Sequence, residues 1–192
     1  MFFYILSLKP GKLRARGGIG TGKTLRAAER YFVLFMALSF LGWAAETVFF
    51  LICYGEFHDR GFMTLPFCTI YGCSFLLLYA LIGLPGRSKN KVLYFLLCAL
   101  IPTALELVTG WFFHHWFGVR LWSYESYRFQ FRGYICLEYA LLWGLLIPPC
   151  MTCIVQPLKR RIFAMRARYA AILALLLAVV SAVDWGINFS RL

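Results

Sequence analysis

Apolar residues dominate five stretches of the chain, at 31–54, 67–84, 92–113, 134–154 and 169–190, with turn-forming or charged segments between them. An α-helix rises 1.5 Å per residue, so about 20 such residues cross a ~30 Å hydrocarbon layer. The second stretch is near the lower limit of that length. The pattern predicts an all-α fold, a polytopic membrane helix bundle with about five transmembrane helices. Gly55, Gly61 and Pro66 punctuate the hairpin after the first helix, and Gly83-Leu84-Pro85-Gly86 stops the second. Pro102 lacks an N–H and frees the carbonyl of Cys98, which predicts a kink in the third helix.

Composition supports this reading. Of 192 residues 61% are hydrophobic and only 15% charged, too little polar surface to coat a soluble globule. The net charge of +12 is unevenly placed. Seven Lys or Arg precede the first helix, three lie in 85–91 and five in 155–168, whereas the opposite side holds Arg60, Arg120, Arg128, Arg132 and Arg191. The positive-inside rule then sets the N-terminus in the cytoplasm and the C-terminus outside, in a multi-pass protein of the cell membrane. Residues 1–30 form a basic cytoplasmic N-terminal arm and 31–192 the transmembrane helical domain. The expected partner of the basic segments is the bilayer itself, through anionic cytoplasmic headgroups, and not nucleic acid. MFFYILSL, residues 1–8, reads as an interfacial segment, since its charges follow the apolar part.

Charge inside the apolar stretches is the most informative feature. Glu46, Glu106, Glu138 and Asp184 each lie within one. Counted at 1.5 Å per residue, Glu46 and Asp184 stand about 22 Å above the cytoplasmic ends, Glu106 about 21 Å and Glu138 about 24 Å. A carboxylate in hydrocarbon costs at least ~2.5 kcal/mol, so it persists where it faces a partner or a wet cavity. Four carboxylates at one depth predict a shared polar pocket in the outer half of the membrane, with Arg60 of the hairpin as the first candidate counter-charge. Trp43 beside Glu46, Tyr71 at the outer end of the second helix, and Trp122 and Tyr124 in the aromatic 114–133 loop are the expected lining. That loop reads as an interfacial aromatic belt or as a lid over the cavity.

Other motifs carry less. GGIGTGKT, residues 17–24, satisfies the phosphate-loop pattern, but a membrane span follows it and no chain remains to build the sheet such a loop requires. Cys150 and Cys153 form a CxxC with no further ligands nearby, and Cys53 and Cys68 flank the hairpin. His114 and His115 are adjacent and point apart on a helix, so with His58 they make a poor metal site. No cofactor and no metal is expected, and no catalytic residue is singled out.

The strings SFLGWAAETVFF, RGFMTLPFCTIYG, LWSY and RGYICLEYALLWG resemble the family described as Putative ABC-transporter type IV, the CmpB-like membrane proteins, over about residues 31 to 154. The family's pattern falls on Gly42, Trp43, Glu46, Arg60, Gly61, Phe62, Pro66, Tyr71, Gly72, Trp122, Tyr124, Gly133 and Glu138. Where that pattern has Glu-Lys and Trp-Asp-Tyr, this chain has His114-His115 and Leu121-Trp122-Ser123-Tyr124. The resemblance implies a bacterial membrane protein of permease type. The leading expectation is a permease-like or substrate-binding component for a small polar or cationic solute, served by a separate ATPase or other membrane subunit. The rivals are a membrane-embedded enzyme acting on lipid-linked or headgroup substrates, with Glu46 or Glu106 as general base and Arg60 on a phosphate, and a structural membrane-assembly partner.

Overall fold

The computed structural model of the chain describes residues 21–55 and 62–191. In chain order the elements are α1 (Thr21–Tyr54), α2 (Thr69–Leu81), a 3-10 turn (Pro85–Arg87), α3 (Lys91–Phe117), the short strands β1 (Gln130–Phe131) and β2 (Ile135–Cys136), α4 (Leu137–Cys150), a π-helical turn (Met151–Val155), α5 (Gln156–Ala164) and α6 (Ala167–Phe189). Among the described residues five segments are long and apolar enough to cross a membrane: Gly22–Cys53, Thr69–Arg87, Lys91–Phe117, Leu137–Ala164 and Ala167–Phe189. The fold is an all-α bundle.

Hydropathy marks the hydrocarbon-facing part of a helix and misses its polar extensions. α1 begins at Thr21 rather than at residue 31, because the preceding LRAAER is built of strong helix formers. Gly22, Lys23 and Thr24 of the phosphate-loop pattern already belong to α1, while residues 17–20 lie outside the described residues. The fourth span shows the same effect more strongly. It was expected to end near residue 154, yet helix continues through the π-helical turn and α5 to Ala164. Pro148 and Pro149 remove two N–H donors, and the wider turn that follows them keeps the helix going. Pro102 likewise sits inside one unbroken helix, α3, which is capped at its start by the Asn90 side chain accepting from Leu93 N–H.

The second span departs furthest from a plain helix. α2 has only 13 residues and rises about 20 Å, and the residues up to Arg87 complete its span. The non-helical segment 62–68 leads into its outer end, and its backbone finds partners on neighbouring helices. The N–H of Cys68 donates to the carbonyl of Ser39 (3.1 Å), in the middle of the apolar part of α1. Thr64 N–H donates to Asp184 Oδ2 (3.1 Å), and Leu65 N–H approaches the same oxygen at 3.5 Å. Phe62 packs among Phe113, Trp185 and Phe189, with ring centroids 4.8–5.1 Å apart. The 62–68 segment is thereby fastened to α3 and α6.

Helix packing runs in the order α6, α1, α2, α3, α4, each against the next. Small residues set the close approaches. A Cβ on Gly72 of α2 would lie 2.6 Å from the Phe35 carbonyl of α1, and one on Gly144 of α4 would lie 2.8 Å from the Phe95 ring of α3. The buried core, with Leu34, Leu38, Leu78, Cys98, Met151 and Val155, fills the end where the basic residues gather. There Lys159 Nζ sits 4.0 Å from the Tyr79 ring centre, and Arg30 donates to the Met165 carbonyl (3.0 Å). These contacts tie α1, α2 and α5 together.

Candidate functional site

Between α1, α2, α3 and α4 lies a cavity of about 380 Å³. Glu46 of α1 and Glu106 of α3 both line it, along with Tyr71, Trp143, Tyr139 and Pro102. Each carboxylate has an aromatic donor from another helix. Tyr71 Oη donates to Glu46 Oε2 (3.1 Å), and Trp143 Nε1 donates to Glu106 Oε1 (3.0 Å). The Tyr71 and Trp143 rings meet edge to face with centroids 5.7 Å apart, so one continuous chain of contacts links the two acids across four helices.

Local sequence explains how these groups reach one another. Gly42 is one turn below Glu46, and a Cβ there would collide with the Tyr71 ring. Its absence lets Tyr71 lie against α1 with its hydroxyl at the carboxylate one turn above. Gly110, one turn beyond Glu106, makes room for Tyr134 and Trp122, whose nearest atoms would be 3.1 and 3.3 Å from an added Cβ. Trp122 Nε1 donates to the Tyr134 carbonyl (2.9 Å), fixing the loop over the cavity. Leu121, Trp122 and Tyr124 of this loop are part of the lining. Tyr124 packs on Tyr139 (centroids 5.1 Å), and its N–H donates to the Gly133 carbonyl (2.9 Å). Burial first, then the nearby Glu106, Cys136 and Glu46, pushes the Tyr124 phenol well above its ordinary value.

Depth along the membrane does not fix which way a side chain faces, and the four carboxylates divide accordingly. Glu46 and Glu106 share the cavity; Glu138 and Asp184 are not in its lining. Asp184 is buried and holds the backbone of the 62–68 segment, with Asn188 donating to Thr64 Oγ1 beside it (3.1 Å). Glu138 is exposed in the first turn of α4, where the helix dipole favours a negative charge. Of the four acids expected to meet, the structure thus brings two, Glu46 and Glu106, to one cavity. Trp43 also lies outside the lining; its ring stacks on Phe40 (6.1 Å), and its buried Nε1 has no hydrogen-bond partner among the described residues. Arg60 and His58 lie outside the described residues. His114 Nδ1 pairs with the Tyr134 hydroxyl (2.6 Å) while His115 stacks on Trp111, so the two histidines do point apart. Cys53, Cys150 and Cys153 are free thiols among the described residues.

Sequence reading missed Trp143 and Tyr139. They are spaced i, i+4 on α4, hence on one face, and that spacing of two hydrogen-bonding aromatics in an apolar run was the available signal.

A family model described as Putative ABC-transporter type IV matches residues 33–189. No curated protein and no solved structure gives a significant match.

Proposed function

Because the chain belongs to the Putative ABC-transporter type IV family and is a multi-pass, transport-associated membrane protein, we propose that it is the permease-like, substrate-binding component of a transport system, and that its solute is a small organic cation. The observation supporting this reading is the facing pair Glu46 and Glu106 in one cavity lined by Tyr71, Trp122, Tyr124 and Trp143. Two carboxylates attract positive charge, and the faces of surrounding aromatic rings stabilise a weakly hydrated cation that has shed its water. Tyr71 and Trp143 already donate to the acids, which holds them oriented before the solute arrives. A volume of about 380 Å³ suits a small organic ion better than a bare metal ion, which demands a tight shell of oxygens. Orientation with the basic end in the cytoplasm sets the cavity toward the outer face, and a separate ATPase subunit supplies the energy.

Equilibrium binding of tetraethylammonium to the purified protein in nanodiscs tests the reading. The unaltered protein should bind. The Glu46→Gln, Glu106→Gln double variant should lose affinity by about tenfold or more, the scale of one or two charged contacts. Glu138→Gln should bind as the unaltered protein does. Equal binding by the double variant, or none by any form, would refute the proposal.

A further inference from the structure

Resting on the cation-binding reading above, the geometry points to a ligand that carries an alkyl tail and enters the cavity from the bilayer: a single-chain cationic amphiphile. The cavity is not a compact sphere. Its lining on the fourth span runs from Tyr139 of α4 to Ile154 of the π-helical turn, which at 1.5 Å per residue is a groove about 22 Å long. The two ends differ in chemistry. Glu46, Glu106, Tyr71, Trp122 and Tyr124 gather at one end; Leu38, Phe75, Ile147, Cys150 and Ile154 line the other, and they offer no charge. A small cation would occupy the first end and leave the second with no function.

The groove is open on one side. α2 and α3 pack together behind it, but α1 and α4 are not among the helix pairs that pack closely, and they face each other across the opening. Leu41 and Phe49 on α1, Leu142 and Leu146 on α4 and Ile154 in the π-helical turn after it line the groove and are also 36–44% exposed. All five belong to membrane-crossing segments, so the medium they meet is lipid. The aqueous side above the acids is instead covered by the loop that Trp122 anchors to Tyr134. A ligand already dissolved in the bilayer can therefore slide its tail between α1 and α4 and bring its headgroup to the acids without crossing that roof. The tail remains in apolar surroundings throughout, and only the headgroup exchanges interfacial water for carboxylates and aromatic faces.

Photolabelling of the full chain in nanodiscs tests this, with dodecyltrimethylammonium carrying a diazirine at the tail end as probe and an uncharged alkyl diazirine as control. The cationic probe should concentrate its label on the fourth span between Leu142 and Ile154 and on the facing part of α1. Excess tetraethylammonium should reduce that label, and the control should spread over all lipid-facing helices, α6 included. Cys150→Trp, or Ile154→Trp should the first fail to fold, should reduce the groove label severalfold while leaving tetraethylammonium binding intact. If tetraethylammonium binds but the tail labels α6 as heavily as α4, the lateral groove is refuted and the cation site stands. If neither ligand binds, both readings fall together.

Discussion

At the scale of the residue, Gly42 is the position on which the arrangement of the acids most depends. The atoms its missing Cβ would strike include Tyr71 Cβ (2.5 Å) and Cδ2 (2.6 Å), and Tyr71 Cβ moves only if the backbone of α2 moves. Gly42→Ala is expected to destabilise the bundle by about 1–3 kcal/mol, as overpacking of a tight contact does. In a double-mutant cycle Tyr71→Ala should relieve most of that cost, whereas a cost that simply adds would show that the contact is not the cause; thermal unfolding in detergent measures both. Tyr124 gives a pH-dependent test. Its phenol is held above the ordinary value of 10.0 by burial and then by Glu106, so the folded state keeps this proton more tightly than the unfolded chain does. Its contribution to stability is complete below about pH 10 and is lost as the pH climbs beyond it. Tyr124→Phe should flatten that alkaline loss in a stability profile. In the sequence, the acids were plain because charge in an apolar run is rare. Their facing was not, since each residue turns the helix about 100° and small errors in tilt or rotation redirect a side chain.

At the scale of the element, the need of the 62–68 segment for an acceptor explains why Asp184 is buried outside the cavity lining. Non-helical backbone inside a membrane bundle needs an acceptor, and Asp184 supplies one to Thr64. Asp184→Ala leaves that N–H unpaired and is expected to cost about 1–3 kcal/mol of stability, with tetraethylammonium affinity nearly unchanged in the folded fraction. A large loss of affinity at unchanged stability would instead assign Asp184 to the site. Element existence was legible: every apolar stretch became a span. Their ends were not, because apolar runs record contact with hydrocarbon, while LRAAER and QPLKRRIFA extend their helices by propensity and by packing of Ile162 and Lys159 against the aromatic end of the core.

At the scale of the whole molecule, the five spans among the described residues set the start of α1 and the end of α6 on opposite sides, and the gathering of Arg30, Lys159 and the 85–91 turn at one end of the bundle supports a cytoplasmic assignment for that end. A reporter placed after Arg191 should be active only when it is of the extracytoplasmic kind; activity of a cytoplasmic reporter there would invert the orientation. The central claim is that Glu46 and Glu106 together hold the ligand, and protection from a membrane-permeant carbodiimide, mapped by mass spectrometry, tests it most directly. Saturating tetraethylammonium should slow modification of Glu46 and Glu106 together and leave exposed Glu138 unchanged. Equal rates at Glu46 and Glu106 with and without the cation would contradict the account.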